Sequence, residues 1–264
     1  MNTTNDNMGP AHLSQDSLFD GALVCHQHRK GYRFSIDAVL IAHFVTVRRN
    51  DRILDLGCGC GIIGLILLYR YQKVIREILG VELQDALAKL AMKNIQENGF
   101  TDKAVVLHDD IRNMTKLIVP ESFDTIVCNP PFYSPESGRN NEDDETKTAR
   151  HQLAGGLDDF LKAAAFAVKN RGSAYFIYPA DQTSEFIHSA KQNRLETKKI
   201  QLIYSYPETN SHAKLAMFHC VKNGGAGVKI SMPFFIYKEK YGDYSDVMQK
   251  YYDINNAFSS IKKI

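Results

Sequence analysis

No apolar run in this chain approaches the ~18 residues that a bilayer-spanning helix requires. The longest, Ile62 to Tyr69, contains Gly64 and meets Arg70, and it reads as a buried helix. The first residues, Met1 to Asp20, are polar and acidic where a signal peptide is basic and then apolar, so no leader is expected. Cysteine is sparse and odd in number at five (Cys25, Cys58, Cys60, Cys128, Cys220). Cys58 and Cys60 stand too close together for an ordinary disulfide, and no second pair stands at zinc-finger spacing. Reduced thiols and a cytoplasmic protein are therefore expected. No set of histidines, cysteines and carboxylates has metal-ligand spacing, so no metal is expected. An excess of one charge is lacking too, since 32 basic against 30 acidic residues leave +2. A nucleic-acid partner would have to be held by clustered basic residues, which composition does not reveal. Repeats and low-complexity tracts are absent.

At 264 residues and 44% hydrophobic, the chain can bury one large core. From about Asp51 to Lys222, short β-branched runs alternate with helical stretches, the pattern of βαβ units around a parallel sheet. Arg52–Leu56 is the first predicted strand, and a glycine-rich turn leads from it into a helix over Ile62–Tyr71. Strands follow at Ile75–Glu82, Ala104–Leu107, Phe123–Cys128 and Ser173–Tyr178. Helices are predicted over Asp85–Glu97, where Leu87, Leu90, Ala91 and Ile95 recur at helical spacing, and over Leu157–Val168. Ile200–Tyr206 and Leu215–Val221 read as an antiparallel pair that closes the sheet. The acidic stretch Glu136–Glu145 reads as a surface loop, or as a lid that orders over a substrate.

The strongest local signal is Asp55-Leu-Gly57-Cys-Gly59-Cys-Gly61-Ile-Ile-Gly64. Glycines at a strand-to-helix turn let the backbone approach a ligand closely. Gly59 to Gly64 is literally G-x-G-x-x-G, and Glu82, at the end of the next strand, suits ribose hydroxyls. Both features fit a dinucleotide as well as S-adenosylmethionine. Asp55 favours the second, because a carboxylate repels a pyrophosphate but suits an ammonium and a sulfonium. Asn129-Pro130-Pro131-Phe132, directly after a strand, favours it again. An exocyclic amino group is a poor nucleophile, since its lone pair is delocalised into the ring. The Asn129 side-chain oxygen and the Pro130 carbonyl can take its two hydrogens, Pro131 stiffens the turn, and Phe132 offers a face on which an extruded base stacks. Asp110, after the third predicted strand, would face the cofactor's adenine, with Asp109 as its rival.

With these motifs the chain resembles the class I S-adenosylmethionine-dependent methyltransferases. The subgroup it resembles is the tRNA1(Val) (adenine(37)-N6)-methyltransferase family. That narrower likeness rests on Gly31–Ala42, Ala149-Arg150-His151 and Pro233–Tyr237. It implies a doubly wound, Rossmann-like α/β fold whose sheet is mostly parallel, with an antiparallel strand near the C-terminal edge. It implies S-adenosylmethionine as methyl donor, S-adenosylhomocysteine as product, and N6 of a tRNA adenine in the anticodon loop as acceptor. By the same likeness Arg33, Phe34, Ser35 and Asp37 join Asp55, Gly57, Gly59, Gly61, Glu82, Asp110 and Asn129 as candidate cofactor residues. The alternatives are guanine N2 in ribosomal RNA, a release-factor glutamine amide, a nicotinamide-dependent oxidoreductase, and an RNA-binding protein with a vestigial cofactor fold. Residues 1–30 read as a partly disordered extension and 31–264 as the catalytic domain of a monomer. Candidate RNA-holding residues are Arg29, Lys30 and Arg33; Lys191, Arg194, Lys198 and Lys199; and Lys238, Lys240 and Tyr241. The length of the acidic Glu136–Glu145 departs from the family pattern, and acid beside an RNA path is unfavourable.

Overall fold

The computed structural model describes residues 13–29, 34–131, 155–208 and 211–253. The central sheet is built from strands β3 (Arg52–Leu56), β4 (Glu77–Glu82), β5 (Ala104–His108), β6 (Phe123–Cys128), β7 (Val168–Pro179), β8 (Leu195–Tyr204) and β9 (Leu215–Lys222). Their spatial order is β8-β9-β7-β6-β3-β4-β5, and the two-residue strands β10 (Lys229–Ile230) and β11 (Phe234–Phe235) both pair with β8. All neighbours from β5 to β7 are parallel, while β9 runs antiparallel to both β7 and β8. The strand order reverses between β3 and β6, and such a switch point opens a crevice at the carboxyl ends of the strands.

Helices cover both faces, as the alternation within each strand requires. One face carries α1 (Ile36–Phe44), α2 (Ile62–Tyr71) and α3 (Asp85–Glu97), packed with Ile53, Ile78, Val127 and Tyr175 in one core cluster. The other carries the single turn α4 (Met114–Leu117) with α5 (Leu157–Ala167) and α6 (Thr183–Gln192), packed with Leu54, Leu56, Ile126 and Phe176. Strand β7 is longer than the predicted Ser173–Tyr178. It begins at Val168, where the predicted helix was to end, and pairs with β6 across an irregularity between Phe123 and Thr125, so Asn170 and Gly172 lie within the strand. A short final helix, α7 (Asp246–Tyr252), packs on α1.

Ahead of the sheet stands a hairpin of β1 (Leu13–Leu18) and β2 (Leu23–His28). Its outer edge is covered by two asparagines one turn apart on α3. Asn98 exchanges hydrogen bonds with the backbone N–H and C=O of Val24 (3.0 and 2.7 Å), and Asn94 does the same with His26 (2.8 and 3.1 Å). Two side-chain amides thus imitate a neighbouring strand, which leaves that edge no free ladder. Asn94 also donates to the Cys60 carbonyl at 2.9 Å, tying the hairpin to the loop before α2. Asn94→Ala would remove the amide partner of three backbone groups, the His26 N–H and C=O and the Cys60 C=O. It is expected to cost about 2–4 kcal/mol in denaturant unfolding, and an unchanged midpoint would refute that reading.

Candidate active site

Strand β3 delivers Asp55 next to its C-terminal end, and the chain then turns through Gly57, Gly59 and Gly61 into α2. All three glycines have positive φ (69°, 58° and 83°). Gly61 is the N-cap of α2, and a Cβ there would stand 3.2 Å from Ala91 of α3, so both backbone angle and space demand glycine. The loop is anchored to the end of β4: the Gly57 and Cys58 N–H groups donate to the Val81 carbonyl at 2.9 and 3.1 Å. Gly80, opposite Asp55 on β4, makes room for Cys58, whose sulfur would lie 2.8 Å from an added Cβ.

Glu82 holds this arrangement together. One of its carboxylate oxygens accepts from the Gly59 N–H at 2.9 Å and the other from the Gln84 N–H at 2.8 Å. Burial raises its pKa, and these backbone donors pull it back. Two N–H groups do not exhaust the acceptor capacity of a carboxylate, which leaves lone pairs for hydroxyl donors.

Asp55 is 1% exposed, and neither of its carboxylate oxygens completes a hydrogen bond among the described residues. Burial and the nearby Glu82 push its pKa up to about 7, offset in part by the Gly64 amide at the start of α2. A buried carboxylate in this state is costly unless a cation arrives to balance it. On the neighbouring strand β6, Leu56 is opposite Cys128, so Asn129 emerges beside the first glycine of the loop. The Asn129 side-chain oxygen is buried and likewise lacks a partner among the described residues. Pro130 is buried behind it and Pro131 is half-buried, while Phe132 lies outside the described residues. Unpartnered acceptors therefore stand at the ends of the two strands that flank the switch point. They fit a donor molecule that carries positive charge and an acceptor molecule that carries an amino group.

At the end of β5, the Asp109 N–H donates to the Glu82 carbonyl at 3.1 Å. Asp110 is engaged locally: it caps the turn at Ile111–Asn113 and pairs with the Arg112 guanidinium, which lowers its pKa. Asp109 accepts from Asn113 and from the Asp110 N–H through one oxygen. Both residues are half-buried beside Glu82. Ser35 stands at the N-cap of α1, and its hydroxyl binds the Asp37 carboxylate, whose pKa burial raises. The Phe34 N–H donates to the Gln27 side chain at 2.7 Å, and Arg33 is outside the described residues. No His, Cys, Asp and Glu cluster among the described residues could hold a metal, and no helix among them is long and apolar enough to cross a membrane.

Residues 35–156, which contain the glycine loop, Glu82 and Asn129, match the methyltransferase small domain family. That match decides between the two cofactors left open above. Over that segment the chain carries a methyltransferase domain, and S-adenosylmethionine is its methyl donor. Among its relatives is the tRNA1(Val) (adenine(37)-N6)-methyltransferase of Aliivibrio salmonicida, 28% identical over 173 residues, 66% of this chain and 71% of that one. A protein of the same name from Shewanella sediminis is 25% identical over 225 residues, 83% and 90% of the two chains. In fold, the methyltransferase is similar to a predicted O-methyltransferase from Agrobacterium tumefaciens, with a TM-score of 0.67 at 20% identity, over 84% of this chain and 97% of that one.

The basic residues considered for RNA are largely engaged. Arg29 donates to the Leu13 carbonyl at 2.9 Å, and Lys198 to the Gly225 and Ala226 carbonyls at 2.7 and 3.2 Å. Lys199 lies over the Phe44 ring, Lys238 pairs with Asp246, and Lys240 lies over the ring of the exposed Tyr241. Lys30 lies outside the described residues, as does the acidic stretch 136–145. Sequence reasoning missed Asn94 and Asn98. Their i, i+4 spacing on α3 was visible, but nothing in it pointed to a strand edge as partner.

Proposed function

We propose that this methyltransferase acts on the exocyclic N6 of an adenine in tRNA, an anticodon-loop adenine by the likeness to its relatives. The observation that carries the reading is the buried, unpartnered Asn129 oxygen at the end of β6, beside the glycine loop. S-adenosylmethionine, when bound, supplies an electrophilic methyl group on a sulfonium. The glycine loop and Glu82 hold the donor molecule, with Glu82 accepting from ribose hydroxyls and Asp110 or Asp109 from the adenine amino group. Arg33 and Ser35 close over it from the segment ahead of α1, and Asp55 supplies negative charge from beneath the loop.

At the acceptor side, the Asn129 oxygen and the Pro130 carbonyl each take one hydrogen of the substrate amino group. This localises the nitrogen lone pair and aims it in line at the methyl. Pro131 fixes the turn, and Phe132 stacks on the extruded base. Catalysis comes from orientation and fixed dipoles, without a covalent enzyme intermediate. The nitrogen loses its proton to solvent after transfer. Residues 31–264 act as one catalytic domain in this scheme.

The test is incubation with labelled S-adenosylmethionine and total tRNA from a strain lacking the protein, read by nucleoside mass spectrometry. N6-methyladenosine in a single tRNA species is the expected product. Label in N2-methylguanosine, or in protein, would move the assignment to another conjugated amino group.

A further inference from the structure

Within the glycine loop, Cys60 faces Cys25 in the middle of β2. Their sulfurs lie 3.8 Å apart and both side chains are buried. We infer that Cys25 and Cys60 are a peroxide-oxidisable dithiol, and that the disulfide they form weakens binding of the methyl donor. The second half rests on the donor lying on the glycine loop, whereas the first does not.

The two sulfurs are unequal. Cys60 stands one residue before the N-cap of α2, where helix N–H groups favour a thiolate. The Cys25 thiol and the Ile62 N–H both stabilise that charge and hold the Cys60 pKa below its ordinary value. Cys25 is shifted the other way by its bond to Cys60, by burial and by Asp16. Cys60 is therefore the attacking sulfur and Cys25 the resolving one. The Cys60 thiolate attacks hydrogen peroxide, the O–O bond breaks, and the departing hydroxide takes up a proton to leave as water. The Cys25 sulfur then attacks the resulting sulfenic acid, the S–O bond breaks, its thiol proton goes to the leaving oxygen, and a second water departs. Two thiols are oxidised to one disulfide while one peroxide is reduced to two waters. Burial, with Asp55 nearby, raises the pKa of Cys58 and Cys128 well above the ordinary range, and burial pushes Cys220 up to about 12, so these three are poorer nucleophiles than Cys60.

Bond formation draws the sulfurs from 3.8 Å to about 2.05 Å. The hairpin is pinned to α3 by four backbone hydrogen bonds to Asn94 and Asn98, whereas Cys60 is held there by a single bond from Asn94 to its carbonyl and sits between two glycines of positive φ. The loop is the side that yields. Its displacement toward β2 strains the Gly59 N–H bond to Glu82 on which the shape of the cofactor seat depends.

The full-length reduced protein, treated with hydrogen peroxide and alkylated, is mapped by peptide mass spectrometry without reductant. Affinity for S-adenosylhomocysteine is measured by calorimetry on the same samples. The expected result is a Cys25–Cys60 cross-link, loss of two of the five thiols, and reversal by dithiothreitol. Affinity should fall about tenfold on oxidation, an ordinary size for coupling between sites, and recover on reduction. Cys25→Ser and Cys25→Ala should both keep their affinity after peroxide. A cross-link between other cysteines, or the same thiol loss in Cys25→Ser, would overturn the dithiol. An oxidised protein that binds as tightly as the reduced one would overturn the coupling. If the reduced protein failed to bind S-adenosylhomocysteine at all, the placement of the donor would fall, and the cross-link map would still decide the dithiol.

Discussion

Asn129→Ala is expected to slow methyl transfer by about 10²–10³-fold, the usual effect of removing one preorganised polar group at a reacting centre, while S-adenosylhomocysteine still binds. The split follows from where the residue stands. The loop and Glu82 form one hydrogen-bonded unit through the Gly57, Cys58 and Gly59 amides, and no bond in that unit involves the Asn129 side chain. Its oxygen is buried and has no partner among the described residues, so the substitution removes no hydrogen bond through that atom there. Thermal stability should therefore hold or rise slightly, since an unsatisfied buried acceptor is a cost to the fold. Single-turnover rates and calorimetry on the same preparation separate the two quantities. A near wild-type rate would remove Asn129 from the chemistry. A parallel loss of donor binding would move it to the cofactor side.

The parts of the fold that the sequence disclosed are those in which local pattern and tertiary environment agree. The strand Phe123–Cys128 and the helices Ile62–Tyr71 and Asp85–Glu97 have the predicted ends, because each is a buried apolar run or an amphipathic one bounded by turn residues. Helix α6 was not foreseen. It buries only Phe186 and Ala190, so its apolar stripe is too thin to register. Strand β2 alternates Leu23, Cys25 and Gln27 inward, and the buried glutamine breaks the pattern that marks a strand. The site was legible as a set of motifs, since glycines of positive φ and an Asn-Pro-Pro turn are local requirements. The relation of Asp55 to Asn129 was not, because it depends on β3 and β6 being neighbours across the switch point, which no stretch of sequence contains. The same holds for Cys25 and Cys60, which are 35 positions apart and meet only because α3 pins the hairpin.

Affinity for the methyl donor should rise about tenfold per pH unit up to about pH 7 and level off above it, with Asp55 as the cause. In the free protein its pKa is about 7, against 3.8 for an ordinary aspartate. Between those values the folded state holds a proton that the unfolded state has released. Its contribution to stability is therefore fully present below about pH 4 and is lost as the pH climbs to 7, a change of order 4 kcal/mol at most. A cationic ligand reverses the preference, since it favours the carboxylate. Binding below pH 7 must then expel that proton, which weakens it. Asp55→Asn removes the charge while keeping the shape. At pH 8 it should melt at a higher temperature than the wild type and bind S-adenosylmethionine at least about tenfold more weakly, because a buried charge acts through a low effective dielectric. Burial lowers His43 and His219 to about 2 and about 4, and both groups oppose folding as the pH falls. They are present in both proteins and cancel in the comparison. Melting curves and calorimetry from pH 5 to 8 on the pair provide the test. A flat affinity profile in the wild type, or a variant that binds as well as its parent at pH 8, would mean that the carboxylate under the loop does not sense the ligand's charge.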